Sequence, residues 1–265
     1  MKKRPKKNRI KKVKGFVNSS SEDRNNNHNL EGNLMSLIKQ GNLLEAEKLY
    51  LHIANKNINS QLIYENLAGL IGNKLGNEKM IEFLIKKIED FPRFQKLYNK
   101  LGFLLYQKGD FKNAIKNCRK AIELQYDYVE AYFNLGNSFR AIGELDNSID
   151  SFKKAIYYDS SFITAYNNLG GVYYLKGDLS KSISSFETVI KLDSKYAKGY
   201  FNLAKVFKEN NEIIKAKDHL INALNINPKY YEALNLIGNI YKDEGNLEKA
   251  ISCLKKAIKS NLETF

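Results

Sequence analysis

The chain has 265 residues, with 43 Lys or Arg against 29 Asp or Glu and a formal charge of +14. Its longest apolar runs are a few residues, far short of the ~20 needed to cross a bilayer, and no hydrophobic stretch follows the charged amino terminus to make a signal peptide. A spanning or secreted protein is therefore not expected, and the cytosol is the expected compartment.

The charge is concentrated at the start. Residues 1–28 hold ten Lys or Arg against Glu22 and Asp23. Lys2, Lys3, Arg4, Lys6, Lys7, Arg9, Lys11, Lys12 and Lys14 come with no acid among them, followed by the polar runs Asn18 to Ser21 and Asn25 to Asn27. Such a segment buries too little apolar surface to offset its ordering entropy, so residues 1–28 are expected to be a disordered basic tail. The nine cations make it a candidate for weak, salt-dependent attachment to a polyanion: RNA, DNA, the ribosome or an anionic membrane surface. In a eukaryotic source the same residues would equally suit nuclear import.

From Asn27 onward the chain repeats with a period of 34, in seven blocks beginning at Asn27, Gln61, Gln95, Val129, Ile163, Ala197 and Tyr231. The fourth position reads Leu30, Tyr64, Tyr98, Tyr132, Tyr166, Tyr200, Leu234, and the eighth reads Leu34, Ala68, Gly102, Gly136, Gly170, Ala204, Gly238. The twentieth is small at Ala46, Ala114, Ser148, Ser182, Ala216 and Ala250, and the twenty-fourth is bulky at Tyr50, Leu84, Phe152, Phe186, Leu220 and Leu254. Positions 4, 7, 8 and 11 share one face of an α-helix, and 20, 24 and 27 share one face of a second. Each block is thus expected to be a helix pair. A turn separates the two helices at Gly41, Gly109, Gly143, Gly177, Asn211 and Gly245, where a residue in the left-handed conformation can close the first helix.

This pattern resembles the tetratricopeptide repeat over residues 27–264. It implies an all-α solenoid of about seven helix-turn-helix repeats. Residues 29–94 form two degenerate repeats, in which Lys87 fills a usually small position and Gly76 comes one place late; residues 95–264 form five clear ones. One edge of the last repeat, with Ile251, Leu254 and Ile258, has no covering helix in the sequence, and self-association or partner docking is expected there.

Catalysis finds little support. His28, His52 and His219 fall at unrelated repeat positions without metal-ligand spacing, and no Gly-rich phosphate loop follows a strand. No cofactor, metal or catalytic residue is assigned. Cys118 and Cys253 lie several helix layers apart, too far for a disulfide, and Cys118 occupies a core position.

The resemblance implies a groove lined by repeat positions 2, 5, 6, 9, 12 and 13. Position 6 is Asn66, Asn134, Asn168 and Asn202, similar to the asparagine ladder of the repeats in O-linked N-acetylglucosamine transferases, which grips the backbone of an extended peptide. A carboxamide both donates and accepts, so it can pair with a peptide amide whatever the side chain. The alternative use is bonding within the groove wall. Phe133, Asn137, Phe201, Lys205 and Lys208 share that face, the phenylalanines expected as exposed contact groups, and Tyr106 and Tyr174 at position 12 would extend it. A second resemblance, to the carboxylate clamp of chaperone-binding repeats, is carried by Asn137, Asn168 and Lys198; two cationic places of the clamp are Phe133 and Asn202 here. The expected function is a scaffold binding an extended peptide segment of a partner protein. The alternatives are polyanion tethering through the tail, and a non-catalytic accessory of a repeat-linked glycosyltransferase, methyltransferase or sulfotransferase.

Overall fold

The structure, a computed structural model, describes residues 61–262 and positions 32–34, 36, 37, 40, 42, 45, 46, 48 and 49, with side chains in the long stretch from 76 onward. The nine tail cations and the Asn66 side chain lie outside the described residues. The helices are α1 Gln61–Asp90, α2 Gln95–Gln107, α3 Phe111–Leu124, α4 Val129–Ala141, α5 Leu145–Tyr158, α6 Ile163–Leu175, α7 Leu179–Leu192, α8 Ala197–Glu209, α9 Ile213–Ile226, α10 Tyr231–Asp243 and α11 Leu247–Leu262, with no strand among the described residues. The architecture is all-α.

The chain divides into two compact units, 1–80 and 81–265. In the first, Leu34 and Ala46, at repeat positions 8 and 20, are fully buried. The Asn42 N–H donates to the Leu37 carbonyl at 3.0 Å, the same 16-to-11 bond that closes the first helix of later blocks. Gly76 has φ 83° and ψ 167° inside α1, so this element is two helices joined at the late glycine.

In the second unit α2/α3, α4/α5, α6/α7, α8/α9 and α10/α11 are the paired helices of five blocks; each second helix also packs on the first helix of the next block, and the first helices α2, α4, α6 and α8 adjoin in succession. The turns repeat one geometry. Gly109, Gly143, Gly177 and Gly245 have φ of 78–84°, and Asn211 takes their place at φ 59°. The following residue bonds back to position 11, as in Asp110 to Leu105 at 2.9 Å and Glu144 to Phe139 at 3.0 Å, while the turn residue bonds to position 12. These two bonds satisfy carbonyls that a helix end leaves open.

Close packing explains the small positions. A Cβ on Gly136 would lie 2.8 Å from the Phe152 ring, and one on Gly102 would lie 2.8 Å from Cys118 Sγ. Burial pushes the Cys118 thiol up to about 12, so it stays a protonated, unreactive filler. Ser148 and Ser182 at position 20 reach across the pair, donating to the Gly136 and Gly170 carbonyls at 2.7 and 2.9 Å. Lys87, where the five clear blocks carry Ala or Val, is 1% exposed, and its ammonium meets Asp90 at 3.1 Å and lies 5.6 Å from the Phe83 ring centroid.

The last helix corrects one expectation. Leu254 is not on the bare edge: it is half-buried, and it packs where a Cβ on Gly238 would be 3.0 Å away. The exposed apolar stripe of α11 is Leu247, Ile251, Ile258 and Leu262.

Candidate binding groove

The adjoining first helices α4, α6 and α8 bring the position-6 asparagines Asn134, Asn168 and Asn202 into line, and each of these three is already engaged. Asn134 Nδ2 donates to Asn99 Oδ1 at 2.9 Å, Asn168 Nδ2 to Asn137 Oδ1 at 2.8 Å, and Asn202 Nδ2 to Asn167 Oδ1 at 2.8 Å. Asn167 Nδ2 donates in turn to Asn168 Oδ1 at 3.3 Å, so Asn137, Asn168, Asn167 and Asn202 form one amide chain across α4, α6 and α8. The wall use is therefore real. It does not exhaust the groups, because each carboxamide has two donors and two lone pairs.

The phenylalanines differ from expectation. Phe133 is half-buried, its ring centroid 5.0 Å from Phe162 and 5.8 Å from Phe152, and Phe201 sits 5.1 Å from Tyr230. Each rests on the aromatic residue that precedes the next block's first helix, so they hold repeats together rather than stand exposed. Asn137 is likewise buried, at 8% exposure. Tyr106 packs 5.7 Å from Phe111.

What the helices leave open is a cavity of about 230 Å3 among α4, α6 and α8. Asn167, Asn168, Gly171 and Tyr174 of α6 line it, with Asn202, Lys198 and Lys205 of α8 and Arg140 of α4. Lys205 lies 5.3 Å from the Tyr174 ring centroid and 6.0 Å from that of Phe201. Burial, with the charge of Glu209, raises the Tyr174 hydroxyl, which remains a donor at neutral pH. Lys208, Asn134 and Phe133 lie outside this lining. At under the ~300–1,000 Å3 of sites for drug-sized ligands, the cavity suits one side chain rather than a whole cofactor.

Arg140, Asn99 and Asn167 are not among the groove residues expected from the sequence, where Gly171 reads only as the neighbour of the packing glycine Gly170. Arg140 stands at position 12 and Asn99 and Asn167 at position 5, all groove positions, so a signal was present. The pairing itself was hidden: Asn99–Asn134 and Asn167–Asn202 are 35 residues apart, one more than the repeat.

Elsewhere, His219 is half-buried, stacked at 5.3 Å and 5° on Phe207, with no hydrogen-bond partner for Nδ1 among the described residues. Burial holds its imidazole below the ordinary range, against the opposing charges of Asp218 and Glu187. Among the described residues no helix is long and apolar enough to cross a membrane.

Two family models match the sequence. One, described as TPR repeat, matches residues 102–139, 136–177 and 170–211, and the other, described as tetratricopeptide repeat, matches 197–230 and 231–264. No curated protein matches. Among solved structures, MamA is 27% identical, with 62% of this chain and 96% of that chain covered at a TM-score of 0.56. YrrB, a TPR protein with an unusual peptide-binding site, is 21% identical over 67% and 91% at 0.53. The C-terminal part of a TPR repeat-containing protein from Cytophaga hutchinsonii is 22% identical over 85% and 93% at 0.61.

Proposed function

Because the chain belongs to the tetratricopeptide-repeat family, a family of protein-interaction scaffolds, we propose that its groove over α4, α6 and α8 binds an extended peptide segment of a partner protein. The observation that carries this reading is the open cavity edged by the Asn168 and Asn202 amides. Neighbouring helices stand about 8–10 Å apart, and an extended chain rises about 3.3 Å per residue. One amide rung therefore serves about every third residue of a bound peptide. Rungs that pair with backbone groups hold a segment without choosing its sequence, and choice is left to the charged and aromatic groups between them. YrrB is described by its peptide-binding site, but at 21% identity the likeness supplies the fold alone; the groove residues of this chain supply the function.

The reading assigns no catalytic role to any residue. Attachment of a polyanion by the nine tail cations is a separate activity, and the test divides the two.

Gly171 gives the cleanest probe, since a Cβ there meets nothing within 4 Å. Gly171→Leu places a side chain in the cavity from a Cβ that has room, and a mid-helix glycine replaced by leucine raises helix propensity. In an affinity pull-down at low and high salt, partners lost by Gly171→Leu and kept by a chain with Lys11→Gln and Lys12→Gln belong to the groove. A Gly171→Leu protein with unchanged circular dichroism that keeps every partner overturns the proposal.

A further inference from the structure

We infer that the cavity receives the carboxylate of an Asp or Glu side chain within the bound peptide, so that the partner segment is acidic; this rests on the groove reading above. Three cations converge on it, Arg140 from α4 and Lys198 and Lys205 from α8, and no Asp or Glu lines it. Among the described residues none of the three is in an ion pair. Other cations of the array do find acids, as Lys181 does with Asp178 at 2.6 Å and Lys217 with Glu244 at 2.6 Å. Glu209, whose charge reaches the Tyr174 hydroxyl, lies outside the lining; like charges gathered with no ion-pair partner repel one another, and an anion entering between them relieves that repulsion.

Phe186 and Val206 give the lining an apolar part, and its remaining polar groups fit an anion. Asn168 and Asn202 supply neutral N–H donors at the edge, and Lys205 is held at the Tyr174 ring face, which directs its ammonium into the cavity side of α8. Gly171 is the second observation. In mid-helix a glycine weakens the helix relative to alanine, yet, unlike at Gly136 and Gly170, a Cβ here would meet nothing within 4 Å. Its effect is to leave the floor of the cavity open.

An internal side chain fits better than a chain terminus. Repeats continue beyond the cavity on both sides, with α2 next to α4 and α10 packed on α9, so a peptide can run through in both directions. Of the three charges only Lys198 stands at a clamp position noted in the sequence; the two cationic places of the clamp are Phe133 and Asn202, and Arg140 and Lys205 occupy repeat positions 12 and 9 instead.

The test uses the full chain as bait for displayed random decapeptides, each fused through its carboxyl end so that no free terminus is offered. We expect the enriched sequences to share one fixed Asp or Glu, and its replacement by Asn or Gln in the leading peptide to weaken binding at least tenfold. That difference should vanish in the Arg140→Gln/Lys205→Gln protein and persist in Lys11→Gln/Lys12→Gln, which separates the cavity from the tail. Enriched peptides without a fixed acid, equal binding of the amide peptide, or acid dependence surviving Arg140→Gln/Lys205→Gln each overturn the inference and leave the groove reading standing. So does a synthetic amide peptide with a free carboxyl terminus that binds as well as the acidic, terminally amidated copy. Failure to enrich any peptide overturns both.

Discussion

Ser148 and Ser182 stand where Ala114, Ala216 and Ala250 stand in other repeats, and each adds one buried bond to a carbonyl of the partner helix. Ser148→Ala should therefore leave no steric defect and cost roughly 0.5–1.5 kcal/mol, the usual net worth of a hydrogen bond, read as a shift in urea midpoint at unchanged slope. His219 makes stability depend on pH. Its folded-state pKa is lowered, so its contribution is complete above the unfolded value of about 6.5 and is lost as pH falls below it, because the unfolded chain then binds the proton more readily. Asp218, Glu187 and Lys215 are the charges that bear on it. The drop in melting temperature between pH 7.5 and pH 5 should shrink in His219→Leu; an unchanged drop would assign it to other groups.

The turns vary in how they start the second helix. Asp110 and Asp178 accept a hydrogen bond from the backbone N–H three residues on, at 3.2 and 3.1 Å, whereas Glu144 at the same repeat position caps nothing. Its carboxylate accepts from the Asn147 side chain instead. Glu144→Asp should restore the cap and raise stability by up to about 1 kcal/mol, measured by thermal or urea unfolding. Helix pairs, turns and packing faces were legible in the sequence because they depend on local periodicity and on residues such as Gly143 that can take the left-handed backbone state the turn requires. The groove was legible only in part. Its helices and position-6 asparagines followed from the repeat, but the Asn168–Asn137 bond, the burial of Phe133 and the inward turn of Leu254 depend on how one helix sits against another, which periodicity does not specify. The position-6 amides consequently bear on the fold as well as on binding. Asn168→Ala would leave the buried Asn137 carbonyl without its donor, so a cost to stability of about 1–3 kcal/mol is expected.

For the molecule as a whole, stability in a repeat array is a sum of pairs and neighbour interfaces rather than one core, so a change on the outer surface of α11 should not be felt in the groove. Ile251 and Ile258, 53% and 63% exposed, lie on its apolar stripe. Ile251→Lys with Ile258→Lys should leave the melting temperature unchanged and, if the self-association expected from the sequence occurs through this face, remove it from light scattering at high micromolar concentration. A wild-type chain that is a strict monomer there would dispose of that expectation. The peptide groove is tested most directly by amide hydrogen exchange of the full chain with and without a peptide recovered by display. Protection is expected over α4, α6 and α8, the helices that bear the amide rungs and the cations. Protection confined to α5, α7 and α9, or to the basic tail, would contradict the groove as the site.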